Sequence, residues 1–132
     1  MEEDKRQFVE AFKQRTKVFA IRIIKMYRAI SKTEEGRIIG KQILRSGTSV
    51  AANYRAVNRA RSQAEYIAKL GIVVEEADET LFWLELLEES GIIEVNLLSS
   101  IKQEAEEILK ILSAAKSKSS KSLQKPKTSS TH

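Results

Sequence analysis

The chain has 132 residues, with one Pro, five Gly, no Cys and a single His at position 132. This length fits one compact domain, and the excess of Ala, Glu, Lys, Leu and Ile favours long helices over sheets. The lack of Cys excludes disulfides, the charged N-terminus is unlike a signal peptide, and no apolar run approaches the roughly 18 residues that span a bilayer. The composition therefore indicates a soluble, cytoplasmic, all-α protein.

The net charge of +5 is unevenly distributed along the chain. Residues 1–62 carry 15 basic and 6 acidic groups, whereas residues 63–112 carry 3 basic and 12 acidic groups. These two halves cancel, so the excess belongs to residues 113–132, which are rich in Ser and Lys. Such a segment buries too little to offset the entropy cost of ordering itself. We therefore predict one domain over residues 1–112 and a disordered basic tail over residues 113–132.

Two helices are predicted in the first half of the chain. Apolar residues recur every three, four or seven positions from about Lys5 to Ser31, and basic residues that include Lys13 and Lys17 collect on the opposite face. Thr33 can cap a second helix that ends near Arg61. We expect this helix to continue through Gly47, because positions spaced four and three apart form a coiled-coil-like seam from Ile39 to Val57. The small residues around Gly47 would let a neighbouring helix approach closely. This packing offsets the roughly 1 kcal/mol that Gly costs in a helix interior.

Two more helices are predicted in the second half. Ser62 and Glu65 form an S-x-x-E capping box at the start of the third helix, which ends at Ser90-Gly91. The fourth helix is predicted from about Glu94 to Leu112. Its expected buried residues are Leu97, Ile101, Ala105, Ile108 and Leu112. Four helices with short connections indicate an antiparallel, up-down-up-down four-helix bundle.

Residue types that carry catalysis or hold metals are scarce. The only His lies in the predicted tail and Cys is missing, which argues against a conventional zinc site and against His- or Cys-based catalysis. The carboxylates at positions 75–79 lack the Glu-x-x-His pairs of di-iron bundles, so a solvated or ion-paired acidic face is expected. There is no glycine-rich phosphate loop after a strand. We predict a protein that is not an enzyme and that has no catalytic residues, no metal, no cofactor and no small-molecule substrate.

The third helix is apolar on two sides. A second set of apolar side chains lies away from its core side: Ile72, Phe82, Trp83 and Leu86. A helix that is apolar nearly all round needs cover on both sides, which a small bundle does not supply. We predict that this set forms a subunit interface, with Phe82 and Trp83 as anchors. The alternative is that the fourth helix or the tail covers it.

A basic stripe runs along the second helix over roughly 33 Å. It consists of Arg37, Lys41, Arg45, Arg55 and Arg59. One interpretation is a track for phosphates, which an A-form duplex would present through its backbone. The other is that the stripe pairs with the acidic third helix of the same or the next subunit, and Arg45 with Glu75 or Glu79 is then the best candidate for a structural ion pair. The sequence leaves both open, and the predicted nucleic-acid contacts are Arg37, Lys41, Arg55, Arg59 and Arg61.

The segment Arg45 to Ile93 resembles the signature of a known family. It joins R-S-x-T-S-[IV]-x-A-N from Arg45, an Arg-x-Arg-S turn from Arg59 and E-A-x-E-T-x-x-W-L from Glu76, in that order. These elements resemble the bacterial four-helix bundle proteins called 23S rRNA-intervening sequence proteins. The resemblance implies a left-handed antiparallel bundle that assembles into a ring-like homo-oligomer, usually a pentamer. The family name refers to a location inside ribosomal RNA genes and not to an activity.

Two functions are compatible with these observations. The first is a non-enzymatic, homo-oligomeric accessory protein that binds RNA or a ribonucleoprotein through basic surfaces. Tail lysines would add sequence-independent attraction: Lys116, Lys118, Lys121, Lys125 and Lys127. The second is a homo-oligomeric scaffold that recruits a protein partner without binding nucleic acid. Steep salt dependence would indicate phosphate binding, whereas docking through apolar anchors depends weakly on salt.

Overall fold

The computed structural model describes residues 2–124 of the chain. These residues form four helices: α1 (Glu2–Ile30), α2 (Glu34–Val57), α3 (Gln63–Glu89) and α4 (Val95–Gln124). Connections of three to five residues join successive helices. The predicted all-α class and the four helices are confirmed.

Each helix packs most closely on its neighbours in sequence, and α1 and α4 approach each other less closely. Contacts join opposite ends of successive helices, as an up-down-up-down arrangement requires. The ring centroids of Phe12 near the start of α1 and Tyr54 near the end of α2 lie 4.9 Å apart. Lys102 near the start of α4 donates to Glu88 at the end of α3 at 3.1 Å. In this arrangement α1 and α3 occupy diagonal corners of the bundle.

The core is one continuous set of apolar side chains from all four helices. Ile23, Val50, Leu84 and Leu98, one from each helix, are fully buried. Burying a side chain of this kind contributes about 1.5–3 kcal/mol relative to leaving it exposed. Among the described residues, no buried side-chain nitrogen or oxygen lacks a hydrogen-bond partner.

Local capping chemistry fixes three of the helix ends. The Thr33 hydroxyl accepts a hydrogen bond from the Gly36 amide at 3.0 Å, and the Ser62 hydroxyl accepts one from the Glu65 amide at 3.1 Å. Gly91 follows α3 with φ of 74°, a left-handed conformation that favours glycine. The predicted starts of α2 and α3 and the end of α3 are therefore confirmed.

Gly47 lies inside an unbroken α2, as predicted. A Cβ atom at this position would lie 3.0 Å from Cγ1 of Ile23 on α1, closer than ordinary packing allows. Gly40, seven residues earlier, faces the same helix, and a Cβ atom there would lie 2.8 Å from the ring of Tyr27. The two glycines therefore permit the close approach of α1 and α2 that the sequence predicted.

Two predicted details are wrong. α2 ends at Val57 and not near Arg61, because the Asn58 side chain donates to the Tyr54 carbonyl at 2.8 Å and the chain turns from there. In α4, Leu97 is 68% exposed and Leu98 is buried in its place. Both residues fit a three- or four-residue spacing to Ile101, so periodicity alone does not distinguish them.

The C-terminal region also differs from the prediction of disorder, because α4 continues from Leu112 to Gln124. Ala115 and Lys116 are half-buried in this extension, and the Lys116 side chain passes close to Gly71 on α3. A lysine stem can cover apolar surface although its ammonium group remains solvated, which a count of apolar residues misses. Residues 125–132, with Lys125 and Lys127, lie outside the described residues.

Candidate nucleic-acid interface

The two longest elements of the sequence signature meet where α2 packs on α3. The Arg45 guanidinium donates to Glu76 at 3.3 Å and also to Glu79. The Trp83 indole nitrogen donates to the same Glu79 carboxylate at 3.0 Å. These hydrogen bonds lower the pKa of Glu79, and the one from Trp83 has the larger effect. The second predicted partner, Glu75, is exposed instead, because it lies about 100° round the helix from Glu76.

Ser46 follows Arg45 in the first signature element, and Thr80 follows Glu79 in the second. Both are buried behind this ion pair. The Ser46 hydroxyl donates to the Gln42 carbonyl at 2.9 Å and accepts a hydrogen bond from the Thr80 hydroxyl at 2.8 Å. Both side chains are fully buried. The polar positions of the signature on this side of α2 therefore join two helices, and they do not line an open pocket.

A second ionic contact joins α1 to α4. Arg15 donates from two nitrogens to Glu104 at 2.8 Å each, and one of them also lies 2.8 Å from Glu107. These hydrogen bonds, donated by Arg15 and accepted by Glu104, lower the pKa of Glu104 and raise the pKa of Arg15. Acidic residues of the second half of the chain thus neutralise Arg15 and Arg45 of the first half. The predicted pairing of the α2 stripe with α3 is present at Arg45 and Glu79, whereas Arg15 lies outside the predicted stripe and pairs with α4.

Other basic residues border a groove between α1 and α2, with a volume of about 460 Å³. Lys13 and Lys17 line its α1 side, and Arg55 and Arg59 line its α2 side. The groove is floored by small side chains: Thr48, Ala51 and Ala52. Lys13 lies 3.1 Å from the exposed Glu10 on its own helix. Within residues 2–124, the other three cations form no ion pair. Glu10 and Gln14 also line the groove, so its charged lining consists of four cations and one carboxylate and is net positive.

All five residues predicted to contact nucleic acid are exposed. Arg55 and Arg59 line the groove, Arg37 and Lys41 lie nearer the start of α2, and Arg61 lies in the turn before α3. None of the five has an ion-pair partner in the part of the chain that the structure describes.

The sequence predicted a basic face on the first helix but did not connect Lys13 and Lys17 to Arg55 and Arg59. The structure brings the four together because α1 and α2 are antiparallel, so that the beginning of one lies beside the end of the other. The signal available in the sequence was the short connection at residues 31–33, which fixes this orientation.

The second apolar side of α3 is uncovered by α4. Ile72 and Phe82 are each 51% exposed, and Leu86 is also exposed. Trp83 is half-buried, and its ring centroid lies 5.0 Å from that of Phe82 in an edge-on arrangement. The alternative that α4 covers this side therefore does not hold for the described residues.

A larger cavity, of about 660 Å³, lies at the end of the bundle where α1 and α3 begin and α2 and α4 end. Phe8, Phe12, Tyr54 and Tyr66 contribute to its mostly apolar lining, and burial raises the pKa of Tyr54. Among residues 2–124, no group of three or more His, Cys, Asp or Glu side chains is arranged to hold a metal ion. Likewise, none of the four described helices is long and apolar enough to cross a membrane.

Comparison with known proteins gives one family and a related crystal structure. The model of the family described as 23S rRNA-intervening sequence protein matches residues 11–114. The chain is 38% identical to a protein of unknown function from the S23 ribosomal protein family of Bacteroides thetaiotaomicron VPI-5482, solved at 1.70 Å. That match has a TM-score of 0.76 and covers 83% of this chain and 97% of the other. No curated protein is significantly similar to the chain.

Proposed function

The chain belongs to the family of 23S rRNA-intervening sequence proteins, and we propose that it is a non-enzymatic accessory protein that binds RNA, alone or within a ribonucleoprotein. The observation that carries this proposal is the division of the basic charge. Arg15 and Arg45 are neutralised between helices, whereas Lys17, Arg55 and Arg59 border a groove without an ion pair in the described part of the chain. A groove with these properties fits a polyanion.

Small side chains on α2 also favour access to the cations of the groove. Thr48, Ala51 and Ala52 are too short to hold a strand away from Arg55 and Arg59. The signature segment that starts at Arg45 therefore has two roles in this proposal. Its inner residues pack α2 on its neighbours, and its outer residues leave room for RNA.

Fluorescence anisotropy with a labelled RNA hairpin at 50 and 200 mM salt tests this function. If four cations each contact one phosphate, counterion release predicts a loss of affinity on the order of 100-fold between these concentrations. The double variant Arg55→Gln/Arg59→Gln should weaken binding at least tenfold at the lower salt. The matched control is Lys32→Gln/Lys110→Gln, which removes the same charge from two exposed positions outside the groove that form no ion pair within residues 2–124, and it should change affinity much less. Equal losses in the two variants would refute the groove as the site.

A second candidate function is supported by the uncovered side of α3. In this alternative the protein is a homo-oligomeric scaffold, with Ile72, Phe82, Trp83 and Leu86 at the subunit contact, that recruits a protein partner without nucleic acid. Assembly into a ring, usually a pentamer in this family, is compatible with both functions and belongs to both proposals. Absence of salt-sensitive RNA binding in a chain that still assembles would favour the scaffold. The cytoplasmic location stays a prediction.

A further inference from the structure

The cavity at the end of the bundle where α1 begins and α4 ends gathers half of the aromatic residues of the chain. The sequence has four Phe, three Tyr and one Trp, and four of these eight line the cavity from three helices: Phe8, Phe12, Tyr54 and Tyr66. The ring of Phe8 lies parallel to that of Phe12, with centroids 5.8 Å apart, and Phe12 meets Tyr54 edge-on at 4.9 Å. Phe8 is nevertheless 54% exposed. The cavity, of about 660 Å³, therefore has the size and the apolar walls of a small-ligand site.

The lining of this cavity changes from apolar to cationic along the helices. Its inner end is formed by the buried side chains of Phe12, Leu70 and Leu112. Lys5 on α1 and Lys118 on α4 line it toward the outer ends of their helices, and both are exposed. Lys5 precedes Phe12 by seven residues and Lys118 follows Leu112 by six, so each cation stands roughly 10 Å along its helix from the apolar end.

The two lysines are available to a ligand. Across residues 2–124 neither Lys5 nor Lys118 forms an ion pair. Asp4 also lines the cavity, so its charged lining consists of two cations and one carboxylate and is net positive. Ser119 and Ser122 add hydroxyl groups on the same part of α4. An anionic group is therefore favoured at the outer end of the cavity, and an apolar group at the inner end.

The burial of the inner wall restricts the shape of the ligand. Phe12 and Tyr54 are 3% and 5% exposed, whereas Phe8 is half-exposed at the rim. A helix from a partner protein, with a diameter of about 10 Å, would contact the rim alone. A slender chain, by contrast, can reach the buried aromatic rings.

We propose that this cavity binds a free, single-chain carboxylate of medium length, with its acyl chain against Phe8 and Phe12 and its head beside Lys5 and Lys118. The molecule is a ligand and not a substrate, so the prediction of a non-enzymatic protein is unaffected. The inference goes beyond the proposed function and does not rest on it, because none of the four cations of the groove lines this cavity.

Isothermal titration calorimetry of the full chain with sodium decanoate, below its micelle concentration, tests this site. Saturable binding of one decanoate per chain is expected. Decyltrimethylammonium has a chain of the same length and the opposite charge, and it should bind at least about tenfold more weakly. Lys5→Gln/Lys118→Gln should weaken decanoate binding about fivefold, as expected for the loss of solvent-exposed ion pairs. Lys32→Gln/Lys110→Gln is the matched control, since it removes the same charge outside the cavity, and it should leave the affinity unchanged.

The position of the acyl chain is tested by filling the cavity. Ala115 is a half-buried residue of its lining, and Ala115→Phe should weaken decanoate binding at least about tenfold, because the added ring occupies the path of the chain. Ala114→Phe adds the same ring at the neighbouring exposed position outside the lining and should keep the wild-type affinity. Phe8→Ala removes the exposed part of the apolar wall without adding bulk and should weaken binding several-fold. Circular dichroism ensures that only folded variants are compared.

Several results would overturn the proposal. A wild-type chain without saturable decanoate binding would contradict it, and so would equal affinity for decanoate and decyltrimethylammonium. Equal losses in Ala115→Phe and Ala114→Phe would show that decanoate does not enter the cavity. Binding that is kept in Ala115→Phe and lost in Arg55→Gln/Arg59→Gln would move the anion to the groove between α1 and α2.

Discussion

Arg45 and Arg59 lie on the same helix and on the same predicted stripe, but their surroundings differ. Arg45 turns toward α3 and contacts two carboxylates, one of which also accepts a hydrogen bond from Trp83. Arg59 borders the groove toward α1 and has no carboxylate partner among the described residues. The net charge of a segment therefore does not tell which cations are available to a ligand, because pairing between helices removes some of them.

The largest expected effect comes from adding bulk to either side of α2. Gly47→Leu should destabilise the protein by about 3 kcal/mol, because even a Cβ atom would lie 3.0 Å from Ile23. Ala52→Leu adds a side chain of the same kind to the exposed floor of the groove and should change stability by less than about 0.5 kcal/mol. Thermal unfolding measures both effects.

The same pair of variants separates packing from RNA binding. Ala52→Leu should weaken RNA binding, because its side chain fills the floor between the cations. A Gly47→Leu variant as stable as the wild type would contradict the close approach of α1 and α2. Unchanged RNA affinity in Ala52→Leu would show that the ligand does not enter the groove.

Acid should weaken the contacts between helices. The pKa values of Glu79 and Glu104 are lowered in the folded protein, so the unfolded chain binds more protons at mildly acidic pH. Stability from these groups is complete above the unfolded pKa of Glu, about 4.3, and is lost as pH falls through the lower folded values. We expect the unfolding temperature to decrease below about pH 4.5 and the decrease to be smaller in Arg15→Gln/Arg45→Gln. Identical pH profiles for this variant and the wild type would exclude these pairs as the cause.

Replacing Arg45 or Arg59, which lie on different sides of α2, by Gln should have opposite effects on stability and on RNA affinity. Arg45→Gln should cost about 1 kcal/mol of stability, since the pair is half-exposed and screened, and should leave RNA affinity nearly unchanged. Arg59→Gln should weaken RNA binding several-fold and change stability by less than about 0.5 kcal/mol. A double-mutant cycle with Glu79→Gln isolates the coupling of Arg45 to its partner. Equal effects of the two variants on both measurements would remove the distinction between paired and available arginines.

Local chemistry explains which parts of this molecule could be predicted from the sequence. Thr33, Ser62 and Gly91 mark helix ends because capping depends on the residue itself and its nearest neighbours. The choice between Leu97 and Leu98, by contrast, depends on the rotation of α4 against the core. The exact partner of Arg45 depends on rotation in the same way, since adjacent carboxylates on α3 point in different directions.

The groove was the least predictable feature for a related reason. Lys13 and Arg55 are far apart in the sequence, and each helix shows only its own basic face. They form one surface only after α1 and α2 pack closely at Gly40 and Gly47. The spacing of the basic residues is therefore enough to predict the stripe on α2. Predicting the surface that a ligand would meet also requires the relative rotation of α1 and α2.

The smallest expected effect is that of the C-terminal residues. Truncation after Gln124 removes Lys125 and Lys127 but leaves α4 intact. RNA affinity should fall by only about two- to threefold, because two lysines add attraction that physiological salt screens over about 8 Å. The unfolding temperature should not change. If truncation instead abolished RNA binding, the tail and not the groove would be the site, and the available arginines of α2 would lose their assigned role.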